Sequence, residues 1–341
     1  MRLRTALAGL FLTVLSAAAE PVPDDFYTHA ARLVVVDGQR RLNLACMGQG
    51  SPTVLFDGGQ GDSMLVWRLV QGEVAKLTHA CAYDRAGIGF SDPRSGVSDV
   101  RAIAADLHSL LVAAKIAPIV YVGHSGAGLY GVMLAATHPE DLAGGVLVEP
   151  AFANQWNVIS AAGTAAGAPQ AASDALLVAM RAQIPRMREC AALPAPLPDD
   201  CARLDKRLPS DLGALKKAQN SRPSYLLTKA SEVESFQNAP NDISLDQKEL
   251  ESVTASFGDK PLIVLTRGKE VGNPGFTAEQ SAAMNRAWTA GNARLAALST
   301  RGRQIIVPDS SHYIQYDQPQ AVIEAVTQVV MDVRDRRQAH H

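Results

Sequence analysis

The sequence lacks an excess of either charge: 32 Lys and Arg stand against 34 Asp and Glu in 341 residues, a formal net charge of −2. Nothing in that balance favours a polyanion, so nucleic acid is not an expected partner. Long apolar runs are missing beyond the N-terminus, because Gly, Pro and charged residues break every hydrophobic stretch; no stable membrane insertion is expected. Cysteine is scarce. Four are too few for a disulfide scaffold of this size, and none has the C-x-x-C spacing of a structural metal site. Internal repeats and low-complexity tracts are absent as well. What remains, with 47% apolar and 19% charged residues, 26 Gly and 19 Pro, is the composition of a globular chain long enough for a large core.

Residues 1–19 have the layout of a secretory signal. Arg2 and Arg4 form a positive start, Ala6 to Leu15 an apolar stretch too short for a lasting anchor, and Ala17-Ala18-Ala19 a small-residue cleavage site before Glu20. Cleavage near Ala19 leaves 30 basic against 34 acidic groups and predicts an exported protein, periplasmic or secreted, in a compartment where disulfides persist. Residues 335–341 read as a tail, and no metal site is read into His340-His341.

Two β-rich runs, Arg32 to Val36 and Arg41 to Cys46, flank Asp37-Gly38 and predict a hairpin. Strand and helix patterns then alternate. Thr53 to Phe56, Ala80 to Tyr83, Ile119 to Val122, Val146 to Val148, Leu262 to Leu265 and Ile305 to Val307 look like buried strands. Ile103, Leu107, Leu110, Leu111 and Ala114 recur at helical spacing, as do Val322, Ile323, Val326, Val329 and Val330. Continuous apolar strands between helices imply an α/β protein with a mostly parallel sheet covered on both faces. The alternation stops over 151–260, an Ala-rich stretch of about 110 residues with a break at Pro194-Ala195-Pro196-Leu197-Pro198. It is expected to form a helical lid over the carboxyl ends of the strands, dividing the core into 20–150 and 261–334.

Gly123-His124-Ser125-Gly126-Ala127 stands where a buried strand hands over to a helix. Such a turn projects a serine hydroxyl in front of the N–H groups of a helix N-terminus, and the small neighbours let strand and helix backbones pass closely. Ala127 stands where a glycine is usual. A serine needs a base to remove its proton, and of the eight histidines His312, in Asp309-Ser310-Ser311-His312-Tyr313 directly after the last strand, is at the right edge of the sheet. Ser125 is therefore the candidate nucleophile and His312 the candidate base.

Read in order, Thr53-Val54-Leu55-Phe56-Asp57-Gly58-Gly59-Gln60-Gly61, Tyr83-Asp84-Arg85-Ala86-Gly87-Ile88-Gly89-Phe90-Ser91, Gly123-His124-Ser125 and Ser311-His312-Tyr313 resemble the α/β-hydrolase superfamily. The resemblance extends from Arg32 to Arg334 and is weak in the lid. It implies an eight-stranded mostly parallel sheet, a Ser–acid–His triad and a cap after the sixth strand. It also implies an oxyanion hole made by the Gly126 N–H and a second N–H from Gln60, or one residue earlier from Gly59. The triad acid has two candidates. The usual position beyond the seventh strand reads Arg267-Gly268-Lys269-Glu270 with no Asp, whereas Glu149 ends the sixth strand, where some members carry a Glu. The superfamily's strand order places Cys46 beside Cys81, and Cys190 and Cys201 flank the Pro-rich lid loop, so Cys46–Cys81 and Cys190–Cys201 disulfides are expected.

The function these residues predict is a serine esterase acting through an acyl-enzyme on a small-molecule ester, with no cofactor or metal. The Ala-rich lid suggests an apolar cleft. Two alternatives stay open: an exported aminopeptidase similar to proline iminopeptidases, and a binding protein that keeps the fold without the chemistry. Dehalogenase and epoxide hydrolase chemistry require a carboxylate where Ser125 stands.

Overall fold

A computed structural model describes residues 22–339; the signal sequence read over 1–19 and the closing His340-His341 lie outside the described residues. Its strands are β1 (Arg32–Val35), β2 (Arg41–Met47), β3 (Thr53–Asp57), β4 (Ala80–Tyr83), β5 (Ile119–His124), β6 (Leu142–Val148), β7 (Leu262–Arg267) and β8 (Gly302–Val307). They form one sheet in the order β1-β2-β4-β3-β5-β6-β7-β8. The pairs β1/β2 and β2/β4 are antiparallel, and every other neighbouring pair is parallel. Helices α1 (Val100–Ala114) and α2 (Ala127–Thr137) follow β4 and β5. Between β6 and β7 lie α3 (Gln155–Ala165), α4 (Gln170–Arg181), α5 (Gln183–Ala192), α6 (Ser210–Asn220), α7 (Pro223–Phe236) and α8 (Leu245–Glu251), and α9 (Ala278–Ala296) and α10 (Pro319–Ala339) complete the chain.

The period of two in the strands sorts side chains into two layers. Val54, Phe56, Val120, Val122, Val146 and Ile263 pack under Val322, Val326, Val329 and Val330 of α10. Their alternates Leu55, Tyr121, Leu147 and Val264 pack against Leu107, Leu110 and Leu111 of α1, Leu134 of α2 and Leu295 of α9. Full burial of each such Val or Leu contributes about 1.5–3 kcal/mol, so a one-residue slip of β5 would forfeit several of these at once. The register is held by packing. β8 departs from the buried look of its sequence: Ile305 and Ile306 are 37% and 45% exposed because β8 is the edge of the sheet, with β7 alone beside it.

The insertion is helical, with isolated bridges between Ala239 and Asp242 and, at its end, between Gly258 and Ser299 of the core. Its ends pack onto the core. Phe152, just before α3, meets Trp288 of α9 at 5.6 Å between ring centroids, and the Asp246 carboxylate of α8 accepts the Val100 N–H at the start of α1 at 2.9 Å. The middle of the insertion, α7 above all, comes down on the loop after β3. Cys46 and Cys81 are cross-strand partners in β2 and β4 and are bonded, and Cys190 at the end of α5 is bonded to Cys201 across the Pro-rich loop. Among the described residues no helix is long and apolar enough to cross a membrane.

Candidate active site

Ser125 occupies the turn between β5 and α2 at φ +53, a left-handed conformation that costs a non-glycine residue about 1–3 kcal/mol. The neighbouring strand holds it there. The Ser125 N–H donates to the Val148 carbonyl at 3.1 Å, and its own carbonyl accepts from Gly128 and Ala151 at 2.9 Å each. The close approach expected at the turn falls one residue beyond Ala127: a Cβ on Gly128 would lie 2.5 Å from Pro150 Cβ, whereas the Ala127 methyl is simply buried.

His312, on the loop after β8, brings Nε2 to 2.9 Å from Ser125 Oγ. Two contacts set this loop. The Asp317 carboxylate accepts from the Ser311 N–H at 2.6 Å and from its hydroxyl at 2.5 Å, and His124 Nε2 donates to the His312 carbonyl at 2.9 Å. Because a carbonyl only accepts, His124 carries its proton on Nε2. Burial, and next the charge of His312, push the His124 imidazole down to about 3 from its ordinary 6.5, so it stays neutral. His124 thus meets His312 through that residue's backbone carbonyl, a contact that its place beside Ser125 in sequence does not suggest.

Glu149 follows β6 at φ +47 and is completely buried. Its Oε1 lies 4.0 Å from His312 Nδ1. Its Oε2 accepts the Arg267 N–H at 2.7 Å, and the Arg267 guanidinium bonds Oε1 directly. That guanidinium also donates to Asn285 Oδ1 at 3.1 Å and lies 5.0 Å from the centre of the Trp288 ring. Glu270 is exposed on the loop after β7, with no hydrogen-bond or ion-pair partner among the described residues. The structure thus brings Ser125, His312 and Glu149 together and leaves Glu270 outside.

Gln60 and Gly126 face each other beside Ser125. A Cβ on Gly126 would lie 2.7 Å from Gln60 Cγ and 3.6 Å from Gln60 N, and one on Gly59 would lie 3.2 Å from Ser125 Cβ. Neither the Gln60 nor the Gly126 N–H donates a hydrogen bond among the described residues. The loop that carries Gln60 is tied down by Arg85, from the Tyr83 to Ser91 motif. Its guanidinium donates to the Gly58 and Gly59 carbonyls at 2.6 and 2.7 Å, to Asp57 at 2.7 Å and to Glu232 of α7 at 3.0 Å. Asp57 also accepts the hydroxyls of Tyr83 and Tyr121, both at 2.8 Å. Glu232 further accepts the Gly61 N–H at 2.8 Å, and its carbonyl accepts the Gln60 carboxamide at 2.9 Å. The Arg85 motif was visible in sequence; its partner Glu232, in the unpatterned insertion, was not.

The description "Alpha/beta hydrolase family" matches residues 54–325. The chain belongs to the alpha/beta hydrolase family. Among curated relatives of this alpha/beta hydrolase, "Uncharacterized protein YqjL" of Bacillus subtilis is 30% identical over 106 residues, which are 31% of this chain and 42% of that protein. "Putative carbamate hydrolase RutD" of Pseudomonas syringae is 32% identical over 115 residues, 33% of this chain and 42% of that protein. The chain thus spans about two fifths of the length of these curated relatives. Among solved structures, the haloalkane dehalogenase DbeA-M1 loop variant from Bradyrhizobium elkanii superposes with a TM-score of 0.61 at 18% identity, covering 91% of this chain and 98% of that one. The N-acyl homoserine lactone degrading enzyme Est816 superposes with a TM-score of 0.55 at 19% identity, covering 87% and 99%. At these identities the likeness is of fold.

Proposed function

We propose that this chain is an exported serine hydrolase that cleaves a small-molecule ester. The observation that carries the reading is the 2.9 Å contact between Ser125 Oγ and His312 Nε2, with the buried Glu149 carboxylate behind the imidazole. For Ser125 to donate to Nε2, the imidazole proton must sit on Nδ1, the nitrogen facing Glu149. Ser125 Oγ attacks the acyl carbon while Nε2 takes its proton, and the free N–H groups of Gln60 and Gly126 receive the developing oxyanion. The imidazolium then protonates the leaving alkoxide, and a water activated by the same nitrogen hydrolyses the acyl-enzyme. Glu149 stabilises the imidazolium across 4.0 Å, a separation that tightens once the ring is charged. Arg267 holds this carboxylate in place through its guanidinium on Oε1 and its backbone N–H on Oε2.

No carboxylate stands where an epoxide hydrolase or dehalogenase would need its nucleophile, which supports acyl transfer over those reactions. The two disulfides support an oxidising compartment. Labelling by a fluorophosphonate probe tests the reading: the native protein should react and Ser125→Ala should not. A native protein that stays unlabelled would leave a non-catalytic binding protein as the better account.

A further inference from the structure

A cavity of about 640 Å³ opens between the insertion and the sheet, next to the candidate site: Gln60, Gly61 and Asp62 line one side and Tyr313, the neighbour of His312, another. An Ala-rich insertion suggests an apolar cleft; this one is apolar over about half of its lining, and the charged side chains of the other half are mostly basic. Six cationic side chains line it, Arg186, Arg203, Lys206, Arg207, Lys216 and Lys229, against three carboxylates. All three carboxylates are engaged: Asp62 with Lys216, Asp205 with Lys216 and Arg207, and Asp200 with Arg186. Among the described residues no carboxylate lies within ion-pair distance of Arg203, Lys206 or Lys229. Arg203 and Lys206 are exposed, where water solvates them.

Lys229 differs. It projects from α7 with its stem against Gly61, whose added Cβ would lie 2.9 Å from Lys229 Cδ. Burial pushes its ammonium below the ordinary lysine range, with Asp62 and Glu232 only partly offsetting that cost. Both acids are already committed, Asp62 to Lys216 and Glu232 to Arg85. A half-buried ammonium whose neighbouring carboxylates are bonded elsewhere is incompletely compensated, and a ligand that brings an anion to it regains part of the desolvation cost on binding.

We propose that the ligand of this cleft carries an anionic group, carboxylate or phosphate, remote from the scissile bond, and that Lys229 binds it while Arg203 and Lys206 draw it in. The substrate class follows from the serine hydrolase reading, on which it rests: an ester with an acidic end. Lys229, whose stem lies against Gly61, binds the acid, and the neighbouring Gln60, which borders the same cavity, presents its N–H to the reacting carbonyl.

The test compares kcat/KM for mono-p-nitrophenyl glutarate with that for the neutral p-nitrophenyl butyrate. The native protein should prefer the glutarate ester by about tenfold or more, the effect of one charge-assisted hydrogen bond. Lys229→Met should bring the ratio close to one and Lys229→Arg should restore part of it, with unfolding midpoints recorded for both. In parallel, glutarate and inorganic phosphate are titrated calorimetrically into Ser125→Ala protein with and without Lys229→Met; the tighter of the two identifies the anion. A ratio near one in native protein that labels at Ser125, or a preference that survives Lys229→Met, overturns the anion site and leaves the hydrolase reading standing. Lys229-dependent binding in a protein that does not label at Ser125 would instead support the anion site and sink the hydrolase reading, and with it the ester as substrate. Absence of both labelling and binding overturns both.

Discussion

Glu232 on α7 and Arg85 after β4, 147 residues apart in sequence, form a buried ion pair at 3.0 Å that joins the helical insertion to the loop carrying Gln60. The pair does more than fasten two parts of the chain. Arg85 is fully ionised between Glu232 and Asp57, and it also takes up the Gly58 and Gly59 carbonyls, so the backbone that presents the Gln60 N–H is held from both sides. A buried ion pair contributes little net stability over an apolar pair, but removing one partner strands the other.

Glu232→Gln should therefore lower stability by about 3 kcal/mol. It should also reduce kcat more than KM changes, because the Gly61 N–H and the loop that carries Gln60 lose their anchor. Urea unfolding and ester kinetics on the same preparation check both. An unchanged unfolding midpoint with unchanged turnover would show that the pair carries neither load.

Glu149→Gln should lower kcat by about 10²–10⁴-fold with little change in KM, because an amide cannot stabilise the imidazolium and favours the wrong tautomer. Glu270→Gln should leave both constants within about twofold, since that side chain is exposed and contacts none of the reacting groups. The reverse pattern would transfer the role of triad acid to Glu270.

His124 makes acid sensitivity predictable in sign. Its pKa is about 3 when folded and 6.5 when free, so the unfolded chain binds the extra proton between those values. The contribution of the neutral imidazole is fully present above about pH 6.5, and it is lost at about 1.4 kcal/mol per pH unit as the pH falls toward 3. His124→Gln keeps a donor for the His312 carbonyl and removes the titration. Relative to native protein, its stability should fall less steeply between pH 6.5 and 4.5 in parallel denaturant titrations; equal slopes would refute the assignment.

The Cys190–Cys201 bridge closes a short loop, with 11 residues of sequence separation, beside the cleft. Replacing both cysteines by serine should cost on the order of 2–3 kcal/mol, chiefly by freeing the unfolded chain. Because Cys190 packs with Tyr225 and Leu226 of α7, the loss should also loosen the wall that carries Lys229. Hydrogen exchange over residues 190–230 reads this directly: protection there should fall while β5 and β6 stay protected. Uniform loss across the chain would count against a local role.

The order of strands and helices, the serine at the strand-to-helix turn and the histidine after the last strand were legible in the sequence. Each is written in local or periodic patterns: apolar runs of strand length, helical spacing, and small residues where two backbones must pass. β8 marks the limit of that code, since Ile305 and Ile306 look buried until the sheet is assembled and leaves them at its edge. Which carboxylate stands behind His312 depended on the packing of β6 against β7, which buries Glu149 on Arg267 and leaves Glu270 in solvent. The charge of the cleft was hidden for the same reason. Ion pairs such as Lys216 with Asp62 or Arg85 with Glu232 join residues over a hundred positions apart, and their energies depend on burial and distance. The tertiary structure alone decides which charges meet, which are neutralised, and that Lys229 has no carboxylate within ion-pair distance among the described residues.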